Sequence, residues 1–280
     1  MLEREEYVEQ AYLFRMLSER LPENFPLQDL LEQIRHELLA TTKLPMAVDY
    51  LLAELRHCGV ISTAMRRLPH YFTAFQTYLV EAAEDDRGRF DMRVAIEVLR
   101  YEAAYRAERP TREGLFMYQF ETLCRNRLRY DRGLDAISVD PMYDEDWREW
   151  IQTVRRQIGI VEFADLIYVR STEYLRRRTR ASAPPPAPEK PLLFGEKEGK
   201  IAWANRQKDP MYLFAALQRH LGYPTAPRIK RIDETREQVP LILRRLERLE
   251  QRIKLLEEEA REGLDITKFY AQDNVPPVVP

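Results

Sequence analysis

Apolar residues in this chain recur at intervals of three and four, and no convincing run of strict alternation is present. The spacing predicts helices over 2–20, 26–40, 45–58, 69–84, 90–108 and 111–130, separated by proline or glycine. On the first, Tyr7, Ala11, Phe14, Leu17 and Leu21 share a face; on the fifth, Phe90, Val94, Val98, Tyr101 and Tyr105 do so. Such stripes of large apolar side chains are expected in a core rather than around a cofactor.

The tetrapeptide DPMY occurs twice, as Asp140-Pro141-Met142-Tyr143 and as Asp209-Pro210-Met211-Tyr212. In both copies the aspartate is expected to cap a helix and the proline to take its first position. The first helix would run past Trp147, Trp150, Ile151 and Val154 to Gly159, and the second past Phe214, Leu217 and Leu221 to Gly222. Beyond the four residues the stretches do not align, so the motif reads as helix punctuation rather than an internal repeat. From 160 to 180 a further helix is expected, with IYV as an alternative short strand, ending in the basic cluster Arg176, Arg177, Arg178 and Arg180. The stretch ASAPPPAPEKP, 181–191, suits an extended spacer. After it come a short helix over 196–205, the second capped helix and a proline-broken loop.

The strongest periodic signal lies near the C-terminus. Val239, Ile242, Leu246, Leu249, Ile253, Leu256 and Ala260 follow a strict 3,4 spacing, the a and d positions of heptads. Arg245 and Arg252 fall at g, Glu250 and Glu257 at e, so a parallel dimer would pair Arg245 with Glu250 and Arg252 with Glu257. An antiparallel pair would bring the e-position glutamates together instead. The competing expectation is one long helix laid on the chain's own body, since so short a coil is marginal alone.

Composition narrows the class. Nine glycines in 280 residues are too few for a hairpin-rich sheet protein, which leaves an all-α chain. The expected organisation is a multi-helix bundle body over 1–180, the proline-rich spacer, a small helical module over 192–228, a coiled-coil helix over 229–268 and a tail over 269–280. Net charge is −2 although 32% of residues are charged, so nothing draws the whole surface to a polyanion. Arginine outnumbers lysine 36 to 8, a skew that suits phosphate and carboxylate ligation but also follows from codon composition. Two cysteines without a CxxC pairing point to a reducing compartment, and the acidic amphipathic start and lack of a long apolar run point to a cytoplasmic chain outside the membrane.

Candidate chemistry is sparse. GEKEGK, 195–200, has three residues between its glycines where a phosphate loop has four, and Ile201 follows the lysine in place of Ser or Thr. Glu54 to His57 is a single ExxH pair, where a di-iron bundle needs two. HELLA, starting at His36, lacks the second histidine of a zinc-protease helix, and four histidines with two cysteines support no metal site or cofactor. His57 beside Cys58 suits the end of a helix better than a catalytic pair. The span 41–62 resembles the second half of a helix-turn-helix, with RRLPHYF, 66–72, in the place of a wing. Asp49 and Glu54 on the would-be reading helix and the missing turn glycine weigh against it.

GLFMYQFETLCRNRLRYDRGL, FADLIYVRS and LFGEKEGKIAWANRQKDPMYLFAALQRHLGYP are similar to an uncharacterised bacterial family of the kind found in planctomycetes. The resemblance covers most of 2–228 and implies no activity, cofactor or site. The expected role is a non-catalytic scaffold or adaptor that pairs with itself as a parallel dimer or with another helical protein. The alternatives are a helix-turn-helix-like regulator that contacts nucleic acid through Arg176, Arg177, Arg178 and Arg180, and an enzyme whose site is assembled within the body.

Overall fold

A computed structural model describes residues 2–23, 25–85, 90–108, 110–181, 190–228 and 253. Among them the fold is all-α, with thirteen α-helices and two isolated bridges, Ile158 with Val161 and Ser171 with Phe194. The helices are α1 (Arg4–Arg20), α2 (Leu27–Arg35), α3 (Leu44–Cys58), α4 (Ser62–Arg67), α5 (Ala74–Glu84), α6 (Met92–Ala107), α7 (Arg112–Arg125), α8 (Tyr130–Ser138), α9 (Glu145–Gln157), α10 (Phe163–Val169), α11 (Thr172–Ala181), α12 (Glu196–Ala204) and α13 (Pro210–Leu221).

Local chemistry sets many of their ends. Thr73 and Gln76 form a reciprocal capping box at α5; Asp91, Thr111, Asp144 and Asp209 each accept a backbone N–H from the first turn of the following helix. Gly59 and Gly222 close α3 and α13 in the left-handed region, at φ 75° and 69°, where a side chain would strain the backbone. Other helix starts are satisfied from a distance. On α1, Glu6 accepts the N–H of Lys43, the N-cap of α3, at 2.9 Å and Glu9 that of Leu39, in the turn before it, at 3.0 Å; on α5, Glu84 accepts the Ile61 and Ser62 N–H groups at the start of α4. Three buried or half-buried carboxylates thus cap segments roughly 20 to 40 residues away in sequence, so α3 and α4 are secured only when α1 and α5 dock.

Helix α1 packs along α6, α5 on α6 and α8, and α8 on α9. The face expected on α1 is buried at Tyr7, Phe14 and Leu17, but the one expected on α6 is displaced: Val98 is buried, with Phe90 ahead of the helix, whereas Val94, Tyr101 and Tyr105 are half-buried and the deepest stripe runs through Ala95, Leu99, Glu102 and Arg106. The centre is aromatic. Phe116 and Phe120 of α7 meet Trp147 and Trp150 of α9 and Phe163 of α10 at centroid separations of 4.5–6.4 Å. Deleting one such ring costs about 3–5 kcal/mol.

The chain divides into two compact units, Met1–Ile229 and Lys230–Pro280. The segment 192–228, expected as a module of its own, lies inside the first. Phe194 sits 5.0 Å from Trp150, Phe214 sits 5.9 Å from Phe163, and the Tyr223 hydroxyl donates to Glu121 on α7. These apolar faces would be left wet if the two parts stood apart. Of the spacer, 182–189 lies outside the described residues, as does nearly all of the coiled-coil segment and the tail.

Four further expectations are corrected. Residues 140–143 form a turn, and the helix after it starts at Glu145 with Asp144 as cap. The helix expected over 111–130 ends at Arg125; Arg127, at φ 54°, turns the chain, and α8 comes next. The helix expected over 160–180 breaks at Arg170, whose carbonyl accepts from both Leu193 and Phe194. The imagined wing at 66–72 is the end of α4 and a turn.

Candidate functional site

Among the described residues, buried ionisable side chains gather at several places, and two of these hold a buried arginine. The first joins α6, α7 and the 140–143 turn. The Arg106 guanidinium, with no side-chain exposure, bonds the Glu102 carboxylate at 2.8 Å and both oxygens of Asp140, which are also fully buried. Gln119 donates to the same Glu102 oxygen at 2.8 Å and accepts from the Tyr143 hydroxyl at 2.8 Å. The Tyr7 ring lies 5.9 Å from the guanidinium carbon. Burial alone would lower the Arg106 pKa, but the Glu102 and Asp140 charges overcome it and hold the group well above the ordinary arginine value. Burial likewise pushes the Tyr143 and Tyr118 hydroxyls well above the ordinary phenol range. The guanidinium and the two phenols therefore keep their protons near neutral pH. The cluster's chemistry is positional, since it fixes one register of α6, α7 and the turn.

The second cluster occupies the α10–α11–α12 junction. Arg170, 6% exposed, is the C-cap of α10. Its Nε and Nη2 are buried without a hydrogen-bond partner. Burial pulls its pKa below the ordinary arginine value, against the opposing pull of Glu149 and Asp146 on α9. One turn on, Glu173 is 3% exposed; its Oε1 takes the Arg177 Nε at 2.7 Å. Beside it Trp203, exposed at 41%, meets Tyr168 in a tilted ring contact at 4.7 Å, with the guanidinium carbons of Arg177 and Arg206 at 4.6 and 4.4 Å from its ring. Gly199 lets α12 approach this closely, because a methyl group there would collide with the Ser171 hydroxyl.

The expected polyanion contact falls on this junction. Arg176 is bound by Glu196 at 2.5 Å, and Arg177 is held by Glu173, the hydrogen bond that raises its pKa. The side chain of Arg180 lies outside what is described. Two of the four cations are thus already engaged with carboxylates, and Arg178 has an interaction of its own. On α3, the would-be reading helix, Asp49 pairs with Arg35, Arg56 with Glu32 and Glu54 with Arg67. His57 and Cys58 are both exposed at its end. GEKEGK is the first turn of α12.

Val239, Ile242, Leu246, Leu249, Leu256 and Ala260 lie outside the described residues, as do Arg245, Glu250, Arg252 and Glu257. The seam residue that is described, Ile253, is helical and 54% exposed. Sequence reasoning missed Arg106 and Arg170, because arginine on a helix ordinarily marks the wet face. A signal existed for the first: Ala95, Leu99, Glu102 and Arg106 continue one buried stripe at spacings of four, three and four. Among the described residues no group of three or more His, Cys, Asp or Glu could hold a metal ion, and no helix is long and apolar enough to cross a membrane. No family model, curated protein or solved structure matches this chain.

Proposed function

We propose that this chain is a non-catalytic helical scaffold that associates through its C-terminal heptad segment. The observation that carries the reading is Ile253, a β-branched residue at an a position that stands 54% exposed on a helix. Val239 and Ile253 at a with Leu249 and Leu256 at d match the combination that favours two parallel strands, while Leu246 and Ala260 at a and Ile242 at d depart from it. The body supports the same reading from the other side, because its Arg106 cluster and remote carboxylate caps spend ionisable groups on rigidity. Polyanion binding through Arg176 to Arg180 has less support, with Arg176 and Arg177 engaged by Glu196 and Glu173.

The test is the solution mass of the full chain by light scattering, beside a variant carrying Leu249→Glu and Ile253→Glu. The expected result is a dimer of 33.4 kDa chains that becomes a monomer on substitution. A wild-type monomer, or a dimer indifferent to both changes, sinks the self-association reading.

A further inference from the structure

Arg106 and Arg170 are both buried arginines; Glu102 and Asp140 hold both terminal nitrogens of Arg106 and leave only its Nε unmade, whereas no carboxylate among the described residues holds Arg170. The Nε and Nη2 of Arg170 form one edge of the guanidinium, where two N–H bonds run parallel at the spacing of two oxygens of a carboxylate or phosphate. Both are buried and unmade, and no carboxylate among the described residues lies within ion-pair distance of the side chain. A charge held this way is disfavoured unless something outside the fold completes it. We propose that Arg170 is the receptor for a small oxyanion, a carboxylate or phosphate group bound side-on at the α10–α11 junction.

The residue is built for that role rather than stranded by accident. Its N–H donates to the Ile167 carbonyl, and its own carbonyl accepts from Leu193 at 2.9 Å and Phe194 at 3.1 Å. The next residue, Ser171, is fully buried, donates to the Tyr168 carbonyl at 2.6 Å and accepts the Tyr174 N–H. The backbone on both sides is therefore clamped, which fixes the point from which the side chain extends before any ligand arrives. The residue is 6% exposed and the two nitrogens are themselves buried, so a small anionic group is received only as the side chains over that edge move aside. Asp146 and Glu149 on α9 act through space to stabilise the charge and are the internal rivals for it. This goes beyond the scaffold reading and stands or falls apart from it.

The test uses the full chain with inorganic phosphate against chloride at equal ionic strength. Saturable binding to wild type should raise Tm by about 3 to 6 °C at a tenfold excess over Kd. Arg170→Gln should lose that shift yet melt in chloride no lower than wild type, because it removes an unmade charge. Arg170→Lys, which keeps the charge without the fork, should lose most of the shift. In the wild-type nuclear magnetic resonance spectrum, the Arg170 Nε–H signal should move with phosphate. An equal shift in wild type and Arg170→Gln, or none in wild type, overturns the proposal. So does a fall in Tm in chloride for Arg170→Gln that an Asp146→Asn, Glu149→Gln double variant reproduces, since those carboxylates would then be the partners.

Discussion

The two copies of DPMY begin alike and end in opposite environments. In each, the aspartate side chain accepts the methionine N–H, at 3.0 Å from Met142 and 2.8 Å from Met211, and its carbonyl accepts the tyrosine N–H. The turn is therefore a local property of four residues. The continuation beyond it is not. After Tyr212 comes Leu213, and the turn runs on into α13; after Tyr143 comes Asp144, which caps a new helix of its own. Asp140 and Tyr143 are buried in the Arg106 cluster, whereas Asp209 is exposed and Tyr212 is 65% exposed. Identical chemistry is structural mortar in one place and surface punctuation in the other, and only long-range contacts decide which.

Mutations matched across the two copies should break the symmetry by amounts that track burial. Asp140→Ala leaves Arg106 with one carboxylate in a dry site and should cost about 3–5 kcal/mol in urea unfolding. Tyr143→Phe orphans an oxygen of Gln119 and should cost about 1–3 kcal/mol in the same assay. Asp209→Ala removes an exposed cap and should cost about 1 kcal/mol. Tyr212→Phe should change stability by less than about 0.5 kcal/mol, within the scatter of surface substitutions. Equal costs at 140 and 209 would mean that the buried triad is no stronger than a helix cap.

Alkali should sharpen the same contrast. Burial raises the Tyr143 and Tyr118 hydroxyls and pushes the Cys124 thiol up to about 12. The unfolded chain ionises first, from about pH 8.5 at its thiols and about pH 10 at its phenols. Stability present below that range is lost as pH rises through it, and the loss should diminish in Tyr143→Phe. Unfolding curves collected from about pH 8 to 11 measure it.

The helical faces and most helix positions were legible because each is written in a window of one helix: the α1 stripe, the α13 cap and its closing glycine. Short helices were not, since α4 and α8 are too brief to display a period, although Leu134 and Ile137 share the buried side of α8. The break at Arg170 depends on Leu193 and Phe194, more than twenty residues ahead, and no local pattern announces it. The unpaired edge of Arg170 was equally invisible, because burial of a cation is decided by what packs over it.

The aromatic centre also has a timetable. Phe120 and Phe163 receive their last ring, Phe214, from a segment made 51 residues after Phe163, and Glu121 waits longer for Tyr223. At a synthesis rate of about 5–20 residues per second, that leaves the α7–α10 face uncovered for roughly 3–10 s on the ribosome. During that interval the nascent body is a sticky intermediate, and chaperone occupancy should peak after α10 emerges and fall once α13 closes over it.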